Sequence, residues 1–259
     1  MPAPLNTFKA AIANGELQLG CWLGLADPYI AEISAGAGFD WLLIDGEHAP
    51  NDLRSITAQL QVIAGRKSHA VVRPPIGETW IIKQLLDAGA QTLLIPMVES
   101  EAQAKGLVDA VTYPPHGKRG VGSALARASD FAAIGDYLTT ACEQICLLAQ
   151  VENRAGLGAL DDILKVDGID GVFIGPSDIA ADMGFIGKPG TPEVEKVILN
   201  AISRIVASGK AAGILTLDMA LQSKCRDLGA TFIATEIDVT LYAKGMRASA
   251  RASQERLQK

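Results

Sequence analysis

The sequence predicts an α/β fold, a (β/α)8 barrel (TIM barrel) made as one domain from residues 1–259. Three observations predict it. Eight short apolar runs alternate with segments of helical spacing along the chain, as parallel strands joined by helical crossovers require. The length of 259 residues suits the roughly 250 that such a barrel needs. No Gly-rich fingerprint follows the first run, which weighs against an open dinucleotide-binding sheet.

The strands are expected at Leu19–Gly24, Trp41–Asp45, Ala70–Arg73, Thr92–Pro96, Ile145–Glu152, Gly171–Gly175, Ala212–Thr216 and Thr231–Thr235. Helices are expected at Asn51–Ala64, Glu78–Ala88, Ser100–Ala110, Pro192–Ser208 and Asp218–Leu228. Glycines stop several of them, among them Gly65, Gly89, Gly209 and Gly229. Thr112–Glu143 is long for one connection, so an insertion follows strand four. It opens with a loop, Tyr113–Gly122, and continues into a helix near Phe131–Thr140. Insertions of this length after a barrel strand often cover an active site.

Composition removes several classes of function. A net charge of −6 argues against nucleic acid as the main partner, since phosphate binding needs a concentrated basic surface. No apolar run approaches the roughly 20 residues that span a bilayer. The polar N-terminus leads into an amphipathic helix rather than a secretory leader, and Cys21, Cys142, Cys146 and Cys225 lack paired zinc spacing. Free thiols in the cytoplasm are the expectation.

Barrel chemistry sits at the C-terminal strand ends. Strand two ends in Asp45-Gly46-Glu47-His48, strand three in Arg73, strand five in Gln150-Val151-Glu152, and strand six runs into Gly175-Pro176-Ser177-Asp178. Glu152 and Asp178, from adjacent strands, can share one hard cation and leave positions open for a bidentate ligand. The plainer alternative has Asp178 capping a helix and Glu152 pairing with Arg154. The Gly175–Asp178 turn can offer backbone N–H groups to a carboxylate, or be an ordinary strand–helix turn. Asp45 and His48 form a candidate acid–base pair, because a carboxylate orients and stabilises an imidazolium. Glu47 is expected to point away. Arg73 can stabilise a developing enolate oxygen, or simply pair with Asp45 or Glu99. His69 and His116 fall elsewhere. No strand core carries a lysine, so a metal-stabilised enolate is favoured over a Schiff base.

Long stretches also carry a family resemblance. Phe39–Pro50 (FDWLLIDGEHAP), Gly120–Ser129 (GVGSALARAS) and Gly171–Asp178 (GVFIGPSD) resemble the metal-dependent 4-hydroxy-2-oxoheptane-1,7-dioate aldolases, from the first helix to about residue 245. The resemblance implies a class II pyruvate aldolase, a hexamer of paired trimers with its last helix exchanged between neighbours. Glu152 and Asp178 would bind Mg²⁺ or Mn²⁺, with Co²⁺ also accepted. Arg73 would meet the keto oxygen of pyruvate, and His48, held by Asp45, would act through a metal-bound water. Amides near Gly175, Pro176, Ser177 and Asp178 would take the pyruvate carboxylate, Gln150 would support the site, and Trp22 and Leu215 would line the aldehyde side. Glu236, Pro75-Ile76 and Leu217-Asp218 depart from the pattern, which implies that the natural substrate need not be the heptanedioate. A metal-dependent lyase of acyl-coenzyme A thioesters and a non-catalytic 2-oxo acid binding protein are the rivals.

Overall fold

The computed structural model describes residues 1–258. Its frame is a closed barrel of parallel strands in sequence order: β1 (Gln18–Leu23), β2 (Trp41–Asp45), β3 (His69–Arg73), β4 (Thr92–Ile95), β5 (Cys146–Val151), β6 (Gly171–Ile174), β7 (Ala211–Leu215) and β8 (Phe232–Ile237). Helices follow the strands: α1 (Thr7–Ala13) precedes β1, then come α2 (Pro28–Ala35), α3 (Leu53–Ile63), α4 (Thr79–Ala88), α5 (Glu101–Val111) and α6 (Tyr137–Gln144). The second half adds α7 (Arg154–Leu164), α8 (Pro176–Asp182), α9 (Pro192–Ala207), α10 (Met219–Asp227) and α11 (Asp238–Leu257). The expected eight strands are all present. Among the described residues no helix is long and apolar enough to cross a membrane.

Side-chain chemistry explains where the helices start. Asp27, Asp52, Ser100, Asn153 and Asp218 each accept a backbone N–H at the opening of α2, α3, α5, α7 and α10. These caps stand directly after the strand ends, so each crossover turns sharply back over the sheet.

Alternation along the strands makes two cores. Leu42, Ile44, Val72, Leu93, Val172 and Ile214 face the helices, while Trp41, Leu43, Val71, Leu94, Leu148 and Phe232 fill the interior. Two large rings fit only because neighbouring strands carry glycine. A Cβ on Gly20 would stand 2.1 Å from the Trp41 ring, and one on Gly213 would stand 2.1 Å from Phe232. Below them α1 closes the N-terminal end. Phe8 stacks on His69 (5.5 Å between rings) and meets Phe232 edge-on at 5.9 Å. Asn6 and His69 both bond the Thr92 hydroxyl, at 3.0 and 2.8 Å.

The insertion differs from expectation in two ways. Phe131 and Ala132 have positive φ, which breaks any helix there, so α6 begins only at Tyr137. The insertion also does not cover the C-terminal face. Arg127 donates to the Ala88 carbonyl, and Phe131, Ile134 and Tyr137 border a groove with Ser68 and His69 at the opposite end of the barrel. A fully buried Arg119 secures it, lying over Tyr113 at 4.4 Å and bonding Asp87 and Tyr137.

Burial depresses His69 from an ordinary 6.5 to about 4. Below pH 6.5 the unfolded chain therefore takes up a proton that the folded chain refuses, and stability falls until about pH 4. Between pH 7 and 5 the native protein should lose about 2 kcal/mol more stability than His69→Gln in denaturant unfolding. Equal losses would show that His69 is not held neutral.

Candidate active site

At the C-terminal end, four side chains from three strands form one buried row. Asp45 ends β2 and accepts from Arg73 at two points, Nε at 3.0 Å and Nη2 at 2.7 Å. It also accepts from the Trp22 indole at 3.2 Å. Burial pushes the Asp45 carboxyl up, but the Arg73 bonds and charge, with two backbone N–H groups, hold it below the usual range. Arg73 then uses Nη1 toward Gln150 Oε1 at 3.5 Å. Gln150 in turn donates to Glu152 Oε2, and the Met97 amide donates to Oε1 at 2.9 Å. Met97 has a φ of 55°, a strained backbone that aims this amide at the carboxylate.

Glu152 occupies space that only glycine permits. A Cβ on Gly175 would lie 2.7 Å from Glu152 Cβ and 2.8 Å from Oε2. Burial raises the Glu152 carboxyl above its ordinary value, and the charges of Glu47 and Asp178 push the same way. Asp178 is exposed in the first turn of α8, whose N-cap, Gly175, contributes no side-chain cap. Arg154 pairs with Asp182 at 3.0 Å, so it does not neutralise Glu152. Glu99 bonds Asn153 and leaves Arg73 to Asp45.

A cavity of about 450 Å³ opens onto this row. Arg73, Gln150 and His48 line it together with Gly175, Pro176, Ser177 and Asp178, with Trp22 beside Arg73, and Leu215 on the β7 side. Asp45 and Glu152 stand behind it.

Two expectations need correction. Asp45 does not hold the His48 imidazole; it accepts the His48 backbone N–H at 3.3 Å while its carboxylate is committed to Arg73. The imidazole is 68% exposed and its nearest acid is Glu47, at 3.8 Å. Glu47 does not point away either. Asp45 Oδ1 accepts the Glu47 N–H at 2.9 Å, and that turn swings the Glu47 carboxylate to 2.9 Å from Arg73 Nη1. The angle there is poor, which leaves Glu47 Oε2 buried without a hydrogen bond. Burial raises the Glu47 carboxyl, against the pull of Arg73 and His48.

Leu217, one of the departures from the family pattern, lines the cavity, and so does Ile237, which the sequence did not single out; Glu236 does not line it. A register shift between Gly20 and Cys21 pairs Cys21 with Glu236 and Trp22 with Ile237. Glu236 is thereby placed beside the outward-packed Cys21, and Ile237 enters the cavity.

Residues 18–245 match the model of the HpcH/HpaI aldolase/citrate lyase family. The chain belongs to this family. It is 63% identical over 247 residues to a hydroxypyruvate/pyruvate aldolase of Roseovarius nubinhibens, covering 95% of this chain and 96% of that one. It is 56% identical over 245 residues to a 4-hydroxy-2-oxo-heptane-1,7-dioate aldolase of Salmonella dublin, covering 95% and 93%. The crystal structure of an HpcH/HpaI aldolase/citrate lyase family protein from Burkholderia cenocepacia superposes with a TM-score of 0.91 at 36% identity, over 96% of this chain and 99% of that one.

The opposite pKa directions of the two acids on Arg73 give an expected outcome for the metal-free protein. At pH 7, Asp45→Asn removes the bidentate charge partner of a buried guanidinium and should cost about 3 kcal/mol. Glu47→Gln removes a charge that the fold disfavours and should be neutral or stabilising. Denaturant unfolding of both variants checks the contrast.

Proposed function

We propose that this protein is a class II pyruvate aldolase, which reversibly cleaves 4-hydroxy-2-oxo acids to pyruvate and an aldehyde using a divalent metal ion. The observation that carries the reading is the continuous row Asp45–Arg73–Gln150–Glu152 opening onto a cavity beside Asp178.

The donor set fits a hard cation. Glu152 and Asp178 offer carboxylate oxygens, and among the described residues no cluster of three His, Cys, Asp or Glu side chains gathers to make a closed site. Two acidic ligands suit Mg²⁺ or Mn²⁺, with Co²⁺ tolerated, and leave coordination positions for a 2-oxo acid. The room that Gly175 leaves for Glu152 Oε2 supports the same assignment. When bound, the cation supplies Lewis acidity at the keto oxygen.

The chain's own residues supply the rest. Arg73, held on one edge by Asp45, keeps Nη1 turned toward the cavity for the oxygen on which enolate charge develops. The uncapped start of α8 leaves the Ser177 and Asp178 amides for the pyruvate carboxylate. His48 borders the cavity with an exposed imidazole, which takes the proton from the hydroxyl in cleavage and returns one in synthesis. Gln150 orients Glu152, and Trp22 and Leu215 receive the aldehyde.

Assembly as a homo-hexamer with α11 exchanged belongs to the same reading. Its support is that Leu241, Tyr242 and Met246 on α11 are exposed and that, along the helix, Asp238 is the buried residue. The free thiols at Cys21, Cys142, Cys146 and Cys225 suit a reducing cytoplasm.

With pyruvate and Mn²⁺ in deuterated water, the protein should exchange the methyl protons of pyruvate, observable by NMR. Glu152→Ala should abolish that exchange and keep the circular dichroism of the barrel; retained exchange would refute the metal assignment. Gly175→Ala pushes a Cβ into Glu152 and should weaken Mn²⁺ binding by about tenfold or more in calorimetric titration.

A further inference from the structure

The cavity carries its arginine cation at one end only. Its floor presents Arg73, Gln150 and Asp178, backed by Glu152. Trp22 belongs to that floor too, its ring centroid 5.0 Å from Arg73 Cζ and 5.6 Å from the Phe173 ring. The outer half is built from Leu215, Leu217, Leu221 and Ile237. One ionised side chain stands in that half, and it is an acid. Asp218 accepts the Ala220 N–H at 2.8 Å and the Leu221 N–H at 3.4 Å, so its carboxylate is fixed as the cap of α10 at the cavity wall.

Among the described residues no cation pairs with it. The Arg73 guanidinium is held by Asp45 at the floor, and Arg154 is paired with Asp182. Arg127 of the insertion bonds the Ala88 carbonyl at the other end of the barrel. Lys188 precedes the lining residue Pro189, but it is exposed and absent from the wall. His48 lines the cavity beside Glu47, whose carboxylate lies 3.8 Å away.

We infer that the acceptor half of this site takes an uncharged aldehyde and discriminates against one with a distal carboxylate, Leu217 and Asp218 being the selecting residues. This rests on the aldolase reading above. Pyruvate fixes the position of the new carbon–carbon bond at the floor, so the tail of the aldehyde has to lie along the outer wall. A carboxylate there loses water without gaining a cation to pair with, and it approaches the charge of Asp218. An alkyl or hydroxyalkyl tail meets leucine and isoleucine carbon instead.

The test compares butanal with succinic semialdehyde as acceptors for pyruvate, using the full chain with Mn²⁺. The native protein should favour butanal in kcat/KM by at least about tenfold. Leu217→Arg places a cation on a half-exposed wall position and should move the ratio toward succinic semialdehyde. Asp218→Asn keeps a capping side chain, removes the charge, and should move it the same way by less. A native preference for succinic semialdehyde, or a ratio unmoved in both variants, would overturn the inference. Pyruvate proton exchange without any aldehyde separates the two levels. Exchange with the acceptor order reversed overturns the acceptor inference alone, whereas absent exchange overturns the aldolase reading and this inference with it.

Discussion

The ion pair between Asp45 and Arg73 is the contact on which the site's geometry depends. Both side chains are nearly inaccessible, and two parallel bonds at 3.0 and 2.7 Å fix the plane of the guanidinium. With that edge occupied, Nη1 is left to face Gln150 and the Glu47 carboxylate at the cavity. Gln150 cannot rotate freely once it is bonded on one side to Arg73 and on the other to Glu152. Orientation set at β2 is thus handed across the barrel to a carboxylate on β5. A buried charge pair of this kind adds little stability over an apolar pair of the same shape. Its value here is in holding a cation and an acid at fixed positions.

The barrel beneath makes such a row affordable. Trp41 and Phe232 fill the interior against Gly20 and Gly213, and α1 seals the far end with Phe8. Phe8, Trp41 and Phe232 fill the barrel from below, and the polar row Asp45–Arg73–Gln150–Glu152 stands at the C-terminal ends of the strands. At the rim, the left-handed backbone of Met97 directs its amide to Glu152.

Much of this was legible in the sequence, for physical reasons that differ by feature. The eight strands were readable because a buried parallel strand is apolar on both faces and a capped helix follows it. Asp45, Arg73, Glu152 and Asp178 were readable because polar residues directly after such runs fall at the C-terminal face. The direction of Glu47 was not, since it depends on how Asp45 binds the following amides, a matter of one or two torsions. Nor was the exchange of Ile237 for Glu236 at the wall, which follows from a register shift in β8. Sequence length suggested that the insertion lies over the active site; only the contacts of Arg119 and Arg127 reveal that it packs at the opposite end.

The central claim is that Glu152 and Asp178 meet around one cation within reach of Arg73. Anomalous diffraction from crystals grown with Mn²⁺ and pyruvate tests it most directly. The account requires a single strong peak about 2.1 Å from an oxygen of each carboxylate, with pyruvate oxygens completing the shell and Arg73 Nη1 at the keto oxygen. A peak elsewhere in the barrel, or one that touches neither acid, would contradict it.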